Sequence, residues 1–321
     1  MHAAAINLRG GVSPRGILLR GQSIIEYVLI IAVIGLVIVF AGPGVAGAIR
    51  NQFNLVGNTV NNGTSAGSEG GGATGGGSTG ADSATVQAAV AKDAKDWTLE
   101  EQKAVAEDIA AKGEASPAFA KAKAAMDAGT RWSIKLTDGS TMGYRIVGIN
   151  HDDLADGSGK AGLTFEATDP VHGYRFSNVT NTGGWKDSIN RQEMNSGRGW
   201  NLIPSALQEK IKTVNKVTDN CGNEKPGNPT VTNDKMFLLS VTEVYGDLKS
   251  DGTQYEYYRD KGVTKDNCSG AALNWGNSPR ATRSVVSTSW RCYWGITSTD
   301  GSPYDEICAS EGGLNHPAWC F

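Results

Sequence analysis

Hydrophobic and polar positions divide the chain into stretches of very different character. Residues 24–48 are apolar apart from Glu26 and Tyr27, and this run of 25 residues exceeds the roughly 20 that a helix needs to cross a bilayer core. Residues 57–80 are almost entirely Gly, Ser, Thr and Asn, a composition that buries no core and is typical of a flexible tether. The pattern therefore predicts a transmembrane helix followed by a linker.

A third stretch, residues 82–129, is rich in Ala, Lys, Glu and Asp, which favours helices. Residues 98–101 (Thr-Leu-Glu-Glu) form a capping-box pattern, and residues 116–117 (Ser-Pro) are a second helix-start signal. Gly129 is expected to end the last helix. We expect two or three short helices that form a neck packed on the next domain. The side chains expected on their inner faces are Trp97, Val105, Ile109, Phe119 and Met126.

From residue 130 onwards the pattern alternates and is interrupted by many turns. Residues 132–149 show a β-hairpin signature, residues 185–194 and 205–214 show helical spacing, and residues 236–239 read as a buried strand followed by a short helix or turn. Further short strands are predicted near residues 284–286, 292–296, 306–309 and 315–321. The predicted fold class is α+β: a long N-terminal transmembrane or stem helix, a Gly-rich linker, a short helical neck and a loop-rich α+β C-terminal domain.

Charge and cysteine content narrow the possible functions. A net charge of -3 over 321 residues argues against nucleic acid as a partner, because phosphate backbones require a basic surface. The five cysteines all fall in the C-terminal region, where an extracellular setting would favour disulfides and an odd count leaves a thiol. We expect Cys221 to pair with Cys268 and Cys292 with Cys308, and Cys320 to be a buried thiol.

Glu26 is the unusual residue of the apolar run, because a carboxylate near the start of a membrane helix is costly and marks function. Gly21 precedes the apolar run, whereas a secretory signal has its small cleavage-site residues after it. Residues 21–30, Gly-Gln-Ser-Ile-Ile-Glu-Tyr-Val-Leu-Ile, resemble the Flp class of type IV pilins, which the tight-adherence (Tad) secretion system builds. The resemblance implies that a prepilin peptidase cuts between Gly21 and Gln22, and that Glu26 and Tyr27 act in assembly.

Cleavage after Gly21 would leave an ammonium group on Gln22, which Glu26 of a neighbouring subunit can pair with in a packed filament. The alternative is a signal-anchor helix that tolerates Glu26 near the interface. The chain is thus divided into a leader, a stem, a linker, a neck and a surface domain, at residues 1–21, 22–56, 57–81, 82–129 and 130–321.

The C-terminal stretch carries a second resemblance. Its matching strings are residues 149–153 (Ile-Asn-His-Asp-Asp), 185–191 (Trp-Lys-Asp-Ser-Ile-Asn-Arg), 235–240 (Lys-Met-Phe-Leu-Leu-Ser) and 316–319 (His-Pro-Ala-Trp). They resemble an uncharacterised domain repeated across surface proteins of gut-dwelling Gram-positive bacteria. The layout is also similar to C-type-lectin-like and formylglycine-generating-enzyme-like folds. The resemblance implies a folded surface module of unknown ligand.

Two groups of residues are candidates for ligand chemistry. Asp152, Asp153 and Asp156 are clustered oxygen ligands of the kind that calcium prefers, but a solvated acidic loop is the favoured interpretation and calcium the alternative. Most tryptophans of the C-terminal domain are expected to pack in the core, since aromatic side chains dominate cores. Trp200 and Trp275 lie in Gly- and Asn-rich loops and are the candidates for exposure, where they could stack on sugars. His151 is expected to be a hydrogen-bonding turn residue. No catalytic pattern stands out, so we predict no enzyme activity and no cofactor.

Together these features predict a pilin-like subunit that lies in the cell membrane before assembly and on the pilus surface afterwards. Its expected partners are prepilin peptidase, other pilin subunits, the membrane, and a host or cell-surface glycan or protein bound by the C-terminal domain. Two alternatives remain open, a membrane-anchored surface binding protein without a filament and a tethered extracellular enzyme.

Overall fold

The computed structural model describes residues 83–171, 175–177, 179–219, 229–246, 248, 250–268, 280–311 and 314–321. All of them belong to one structural unit, Gly70–Phe321. The predicted leader (1–21), stem (22–56) and linker (57–81) lie outside the described residues, as do Cys221 and Trp275.

The described residues form a mixed α/β fold, and none of their helices is long and apolar enough to cross a membrane. The longest of these helices, Leu99–Lys112, has 14 residues and carries charged side chains on its outer face, whereas a spanning helix needs about 20 mostly apolar residues. The predicted fold class, with its long N-terminal transmembrane helix, is therefore corrected to a mixed α/β fold of short elements.

Three helices open the described part of the chain: α1 (Ser83–Ala91), α2 (Leu99–Lys112) and α3 (Phe119–Ala128). The predicted capping box is confirmed, because the Thr98 hydroxyl accepts from the Glu101 N–H at 3.3 Å while the Glu101 carboxylate accepts from the Thr98 N–H at 2.7 Å. Gly129 ends α3 in the left-handed conformation, as predicted. Of the predicted inner side chains, Trp97, Val105, Ile109 and Met126 are buried and Phe119 is half-buried.

The second helix-start signal is placed differently from its prediction. Helix α3 begins at Phe119, and its N-cap residue Ala118 offers no side-chain cap. The Ser116 hydroxyl instead donates to the Asp108 carboxylate at 2.6 Å and accepts from the Ala118 N–H at 3.2 Å. A tertiary partner on α2 therefore binds the hydroxyl that local sequence would assign to a helix cap.

A five-stranded antiparallel sheet forms the centre of the unit. Its strands are β1 (Arg131–Lys135), β2 (Thr141–Ile149), β3 (Leu163–Ala167), β6 (Met236–Phe237) and β10 (Ala318–Cys320). Their order in the sheet is β1–β2–β3–β10–β6. The predicted hairpin of residues 132–149 is confirmed as β1 and β2, with Trp132 opposite Tyr144. The strand β10 lies between β3 and β6, so residues 318–320 are paired on both sides.

Two smaller antiparallel sheets flank the centre, β4–β5 and β7–β8–β9. Their strands are β4 (Val214–Asp219), β5 (Pro229–Asp234), β7 (Arg280–Val285), β8 (Cys292–Ile296) and β9 (Pro303–Cys308). The remaining helices are short: α4 (Ile189–Asn195), α5 (Arg198–Leu202), α6 (Ser205–Gln208), α7 (Val241–Tyr245) and α8 (Glu256–Arg259). The helix predicted over residues 205–214 is therefore wrong beyond Gln208, and residues 182–187 form turns before α4.

The core is held together by contacting aromatic rings from the first helices and the central sheet. The Trp97 and Trp132 rings stack with centroids 6.3 Å apart, and Trp132 in turn stacks on Tyr144 at 6.0 Å. Tyr144 packs against Trp319 of β10 at 5.3 Å. Such pairs add about 0.5–1.5 kcal/mol each beyond the burial of their area. The predicted neck and the predicted surface domain therefore share one hydrophobic core.

A close approach between α2 and Gly162, the residue before β3, generates the first prediction. A Cβ added at Gly162 would lie 1.8 Å from the carbonyl oxygen of Ala106 in α2. We expect Gly162→Ala to lower the free energy of unfolding by about 3 kcal/mol, since backbone would have to move. The control Gly139→Ala meets nothing within 4 Å and carries only the strain of its φ of +88°, about 1 kcal/mol. Urea unfolding measures both; equal losses would contradict the packing argument.

Candidate functional site

The three aspartates that the sequence suggested for calcium are not brought together. Asp152 is buried, and its Oδ1 accepts from the Lys216 ammonium at 2.6 Å. Asp153 pairs with Lys160 at 2.9 Å, and Asp156 accepts hydrogen bonds within its own turn. No group of His, Cys, Asp and Glu side chains among the described residues could hold a metal ion. The calcium interpretation is therefore corrected, because cations and donors of the chain itself already satisfy these carboxylates.

Asp152 belongs instead to a buried ion network. The Lys216 ammonium lies 2.6 Å from Asp152 Oδ1 and 2.6 Å from Glu243 Oε1. Arg283 donates to the same Glu243 Oε1 at 2.8 Å and also contacts Oε2. The Tyr255 hydroxyl donates to Asp152 Oδ2 at 2.8 Å. The two cations balance the two carboxylates, which is what allows four charges to be buried together.

Opposite charges dominate the ionisation of this network. Burial alone would raise the pKa of the Asp152 carboxyl, but the charges of Lys216 and His151 hold that pKa well below its ordinary value. Burial would likewise lower the pKa of Lys216, but Asp152 and Glu243 raise it above its ordinary value. Asp152 and Lys216 thus stay charged across the physiological pH range, and their ion pair connects the loop after β2 to β4.

A second buried cluster surrounds Glu166 of β3. Its carboxylate contacts the Arg280 guanidinium, accepts from the Tyr258 hydroxyl at 2.6 Å and lies 3.5 Å from the Arg145 guanidinium. Arg145, Glu166 and Arg280 are each at most 2% exposed. Like the first network, this cluster connects strands of different sheets.

His316 lies within the field of this second cluster. It is fully buried, and its Nδ1 is 3.1 Å from the carbonyl oxygen of Ala167. Burial, together with the positive charges of Arg280 and Arg145, lowers the pKa of His316 to about 3. The imidazole is therefore neutral in the folded protein at ordinary pH.

His151 makes the hydrogen bonds expected of a turn residue. Its Nδ1 lies 3.1 Å from the Glu256 carboxylate and its Nε2 lies 3.2 Å from the Thr253 hydroxyl. The ring packs on Tyr255 with centroids 4.1 Å apart, and the His151 carbonyl accepts from Lys160 at 2.8 Å. His151 therefore ties the loop after β2 to the segment that leads into α8.

The tryptophans are distributed differently from their prediction. Trp200, expected to be exposed, is half-buried against the core, and the Lys235 ammonium lies 4.4 Å from its ring centroid. A cavity lined by Gly199 and Met236 among others, but not by Trp200, holds about 10 Å³, room for a single water. Trp290 is 41% exposed, whereas every other tryptophan of the described residues is buried or half-buried. Trp290 thus replaces Trp200 as the candidate binding residue.

The turn that carries Trp290, residues 286–291, joins β7 to β8 and is held in place by Asn181. The fully buried Asn181 side chain donates through Nδ2 to the carbonyls of Ser289 at 2.7 Å and Cys292 at 2.9 Å. The Asn181 backbone N–H donates to the Trp290 carbonyl at 3.0 Å. A single residue from a distant segment thus fixes the conformation of this Trp290 turn.

Arg291 gives the Trp290 turn its charge. Its guanidinium carbon lies 5.7 Å from the Trp290 ring centroid, and the residue is exposed. Val179, two residues before Asn181, is 60% exposed. An exposed indole beside a guanidinium can stack on a flat apolar surface and at the same time pair with an anionic group.

The sequence contained a signal for this site. Strands were predicted near residues 284–286 and 292–296, and the structure places β7 and β8 there. Trp290 falls in the five residues between those predicted segments, and an aromatic residue in a polar hairpin turn is a candidate for exposure. Loop composition alone singles out Trp200 and Trp275 and does not single out Trp290.

The cysteines take three kinds of position. Cys320 is a fully buried thiol of β10, and Cys268 is a half-buried thiol. Cys292 and Cys308 are thiols that face each other across β8 and β9. The predicted partner of Cys268, Cys221, lies outside the described residues.

The buried histidine generates the second prediction. Unfolded histidine has a pKa of about 6.5, whereas folded His316 binds its proton only near pH 3. Between these pH values the unfolded state binds more protons, so stability falls as pH falls from 6.5 to 3. We expect His316→Asn, which keeps a donor near Ala167, to reduce this slope by about 1 kcal/mol per pH unit. Urea unfolding from pH 7 to 3 measures the slope, and an unchanged slope in the variant would refute the prediction.

Comparison with known proteins adds a family match for the part of the chain that holds the Trp290 turn. Residues 162–313 match a family model described as a domain of unknown function, DUF6273. Neither a curated protein nor a solved structure matches the chain. The C-terminal region is thus similar to a family whose function is unknown, and the resemblance of residues 21–30 to Flp pilins stays a prediction.

Proposed function

We propose that this chain is a pilin-like surface subunit of a Tad/Flp-type pilus, cut by prepilin peptidase after Gly21, whose folded domain recognises an acidic glycan. The proposal on assembly rests on the sequence of residues 21–30. The proposal on recognition rests on one observation, the exposed Trp290 beside Arg291 on a turn clamped by Asn181.

The exposure of Trp290 is informative because large aromatic side chains are usually buried. Trp97, Trp132, Trp185 and Trp319 are all at most 7% exposed, against 41% for Trp290. Tryptophan and arginine are enriched among the residues that dominate binding energy at interfaces. The bonds from Asn181 already order the turn, so that binding would require little further loss of conformational entropy.

The pairing of Trp290 with Arg291 favours an acidic sugar over a neutral one. An indole face offers an apolar platform for a sugar ring, and a guanidinium binds a carboxylate or sulfate through two parallel hydrogen bonds. Both groups lie on consecutive exposed residues. A glycan that carries a carboxylate or sulfate fits these two contacts.

The third prediction concerns Trp290. The full chain, labelled and applied to a glycan array, is expected to bind acidic glycans, and Trp290→Ala to weaken that binding about 30-fold, the effect of losing about 2 kcal/mol. Arg291→Gln should weaken binding to acidic glycans and leave the weaker binding to their neutral analogues unchanged. The measurement is the apparent Kd for the strongest glycan.

Val231→Ala is the matched control, because Val231 is 59% exposed on the separate β4–β5 hairpin. It should leave glycan binding unchanged. Equal binding by wild type and Trp290→Ala would contradict the recognition site. Binding that depends on Trp290 but is directed to a protein, with no glycan bound, would contradict the ligand class.

The fourth prediction concerns assembly. In a filament the Gln22 ammonium would pair with Glu26 of a neighbour, and removing the carboxylate would leave a cation unpaired in an apolar setting. We expect Glu26→Ala to be processed normally, with mass spectrometry showing a mature chain that begins at Gln22, yet to be depleted at least about 10-fold from sheared filaments. Immunoblotting of the filament fraction measures this.

Glu69→Ala, a change at the single charge of the 57–80 linker, is the matched control and should assemble normally. Normal assembly of Glu26→Ala would refute the charge pair. A wild-type chain that keeps its leader would refute the pilin proposal and support a surface binding protein without a filament, while leaving the recognition test at Trp290 unaffected.

A further inference from the structure

Two cysteines lie directly beneath the Trp290 turn. Cys292 begins β8, immediately after the turn, and Cys308 ends β9. The strands are antiparallel and their register places Cys292 opposite Cys308. The two side chains therefore project from the same face of the sheet.

The backbone hydrogen bonds around Cys292 and Cys308 show whether these residues form a hydrogen-bonded or a non-hydrogen-bonded cross-strand pair. The Ala309 N–H donates to the Arg291 carbonyl at 2.7 Å, so these neighbours form a hydrogen-bonded pair. Hydrogen-bonded and non-hydrogen-bonded pairs alternate along an antiparallel ladder. The Cys292 carbonyl accordingly accepts from Val286 on the other side, at 3.0 Å. Cys292 and Cys308 thus occupy a non-hydrogen-bonded position.

That position suits a covalent bond between the sulfurs. Opposed Cα atoms at non-hydrogen-bonded positions are about 4.5 Å apart, within the range of about 4.4–6.8 Å that disulfides span. Both residues are free thiols in this structure. Little backbone movement is needed to join them.

The other described thiols have different surroundings. Cys320 is fully buried in the central sheet, where its sulfur lies 3.4 Å from the Thr164 hydroxyl and 3.5 Å from Asp152. Cys268 contacts the Lys265 carbonyl within its own loop. Among the described cysteines, cross-strand opposition is found for Cys292 and Cys308, which is the pairing that the sequence analysis expected for these two residues.

We propose that Cys292 and Cys308 form a site of oxidative modification and are joined by a disulfide that closes the base of the Trp290 turn. The oxidant is a disulfide, either of a thiol oxidoreductase or of a small molecule such as oxidised glutathione. The more accessible Cys308 attacks it as the thiolate, forming a mixed disulfide and releasing one thiolate. Cys292 then attacks the Cys308 sulfur and releases the second thiolate. The two protein thiols lose two protons and two electrons, and the oxidant becomes two thiols.

The bond would attach the C-terminal end of the turn to β9, while Asn181 holds the backbone of the turn by hydrogen bonds. Cys292 is shared by both constraints, since its carbonyl accepts from Asn181 Nδ2 at 2.9 Å and its sulfur would join Cys308. The disulfide also restricts the unfolded chain between the two strands. The exit of the turn would then be held to β9 even when the sheet opens locally.

The fifth prediction tests the bond directly. The full chain is treated with oxidised glutathione, unfolded, alkylated, and digested without reductant. We expect one peptide pair joined through Cys292 and Cys308, with alkylation of these two residues only after reduction. Thermal unfolding should show a midpoint that falls when reductant is added. Alkylation of both cysteines in the oxidised, unreduced sample would overturn the proposal, as would either cysteine linked to Cys268 or Cys221 instead.

Matched variants separate the disulfide from other effects of the reagents. Cys292→Ser and Cys308→Ser should each abolish the linked peptides and the effect of reductant on the unfolding midpoint, whereas Cys268→Ser should preserve both. A midpoint that still responds to reductant in Cys292→Ser would count against the bond. These readouts involve no glycan, so failure of the disulfide and failure of recognition at Trp290 are observed independently.

Discussion

The Glu243 carboxylate joins parts of the fold that the chain order keeps apart. It forms ion pairs with Lys216 of β4 and with Arg283 of β7. Lys216 also forms an ion pair with Asp152, which lies in the loop after β2. Through these four side chains, buried charge links the two smaller sheets to α7 and to the loop that follows β2. Removing one member would leave a buried charge without its partner, which typically costs about 3–5 kcal/mol.

Glu243 also caps the N-terminus of its own helix, α7. It forms a capping box with Ser240 at the start of α7, in which its Oε2 accepts from the Ser240 N–H at 3.0 Å. One carboxylate therefore serves local structure and long-range packing together. The same carboxylate contacts both cations, which connects this short helix to β4 and β7.

Local signals were readable from the sequence, whereas long-range ones were not. The cap at Thr98 and the β1–β2 hairpin depend on residues close in sequence, and the structure has both. The helix expected over 205–214 stops early because Lys212 pairs with Cys320 in the central sheet, a partner that spacing does not reveal. Similarly, the Asp152 carboxylate looked like a calcium ligand only because Lys216 is 64 residues away.

The candidate site follows the same rule. The sequence places Trp290 in a turn between two predicted strands. It does not reveal that Asn181 fixes the conformation of that turn, because Asn181 is more than a hundred residues earlier. The cysteines opposed across β8 and β9 could be proposed as a pair, yet their hydrogen-bonding class depends on the register of the ladder. What the sequence lacks is the alignment of separate segments, which tertiary packing supplies.

The position of β10 has a consequence for how the protein is made. Residues 318–320 fill the gap between β3 and β6, so no earlier segment completes the central sheet. While the chain is still emerging from the ribosome, β3 and β6 each present an unpaired edge, and such edges invite pairing with other chains. Pairing across some 150 residues of sequence is also slow. Until β10 has been synthesised these two edges stay unpaired, and the nascent domain depends on protection from aggregation.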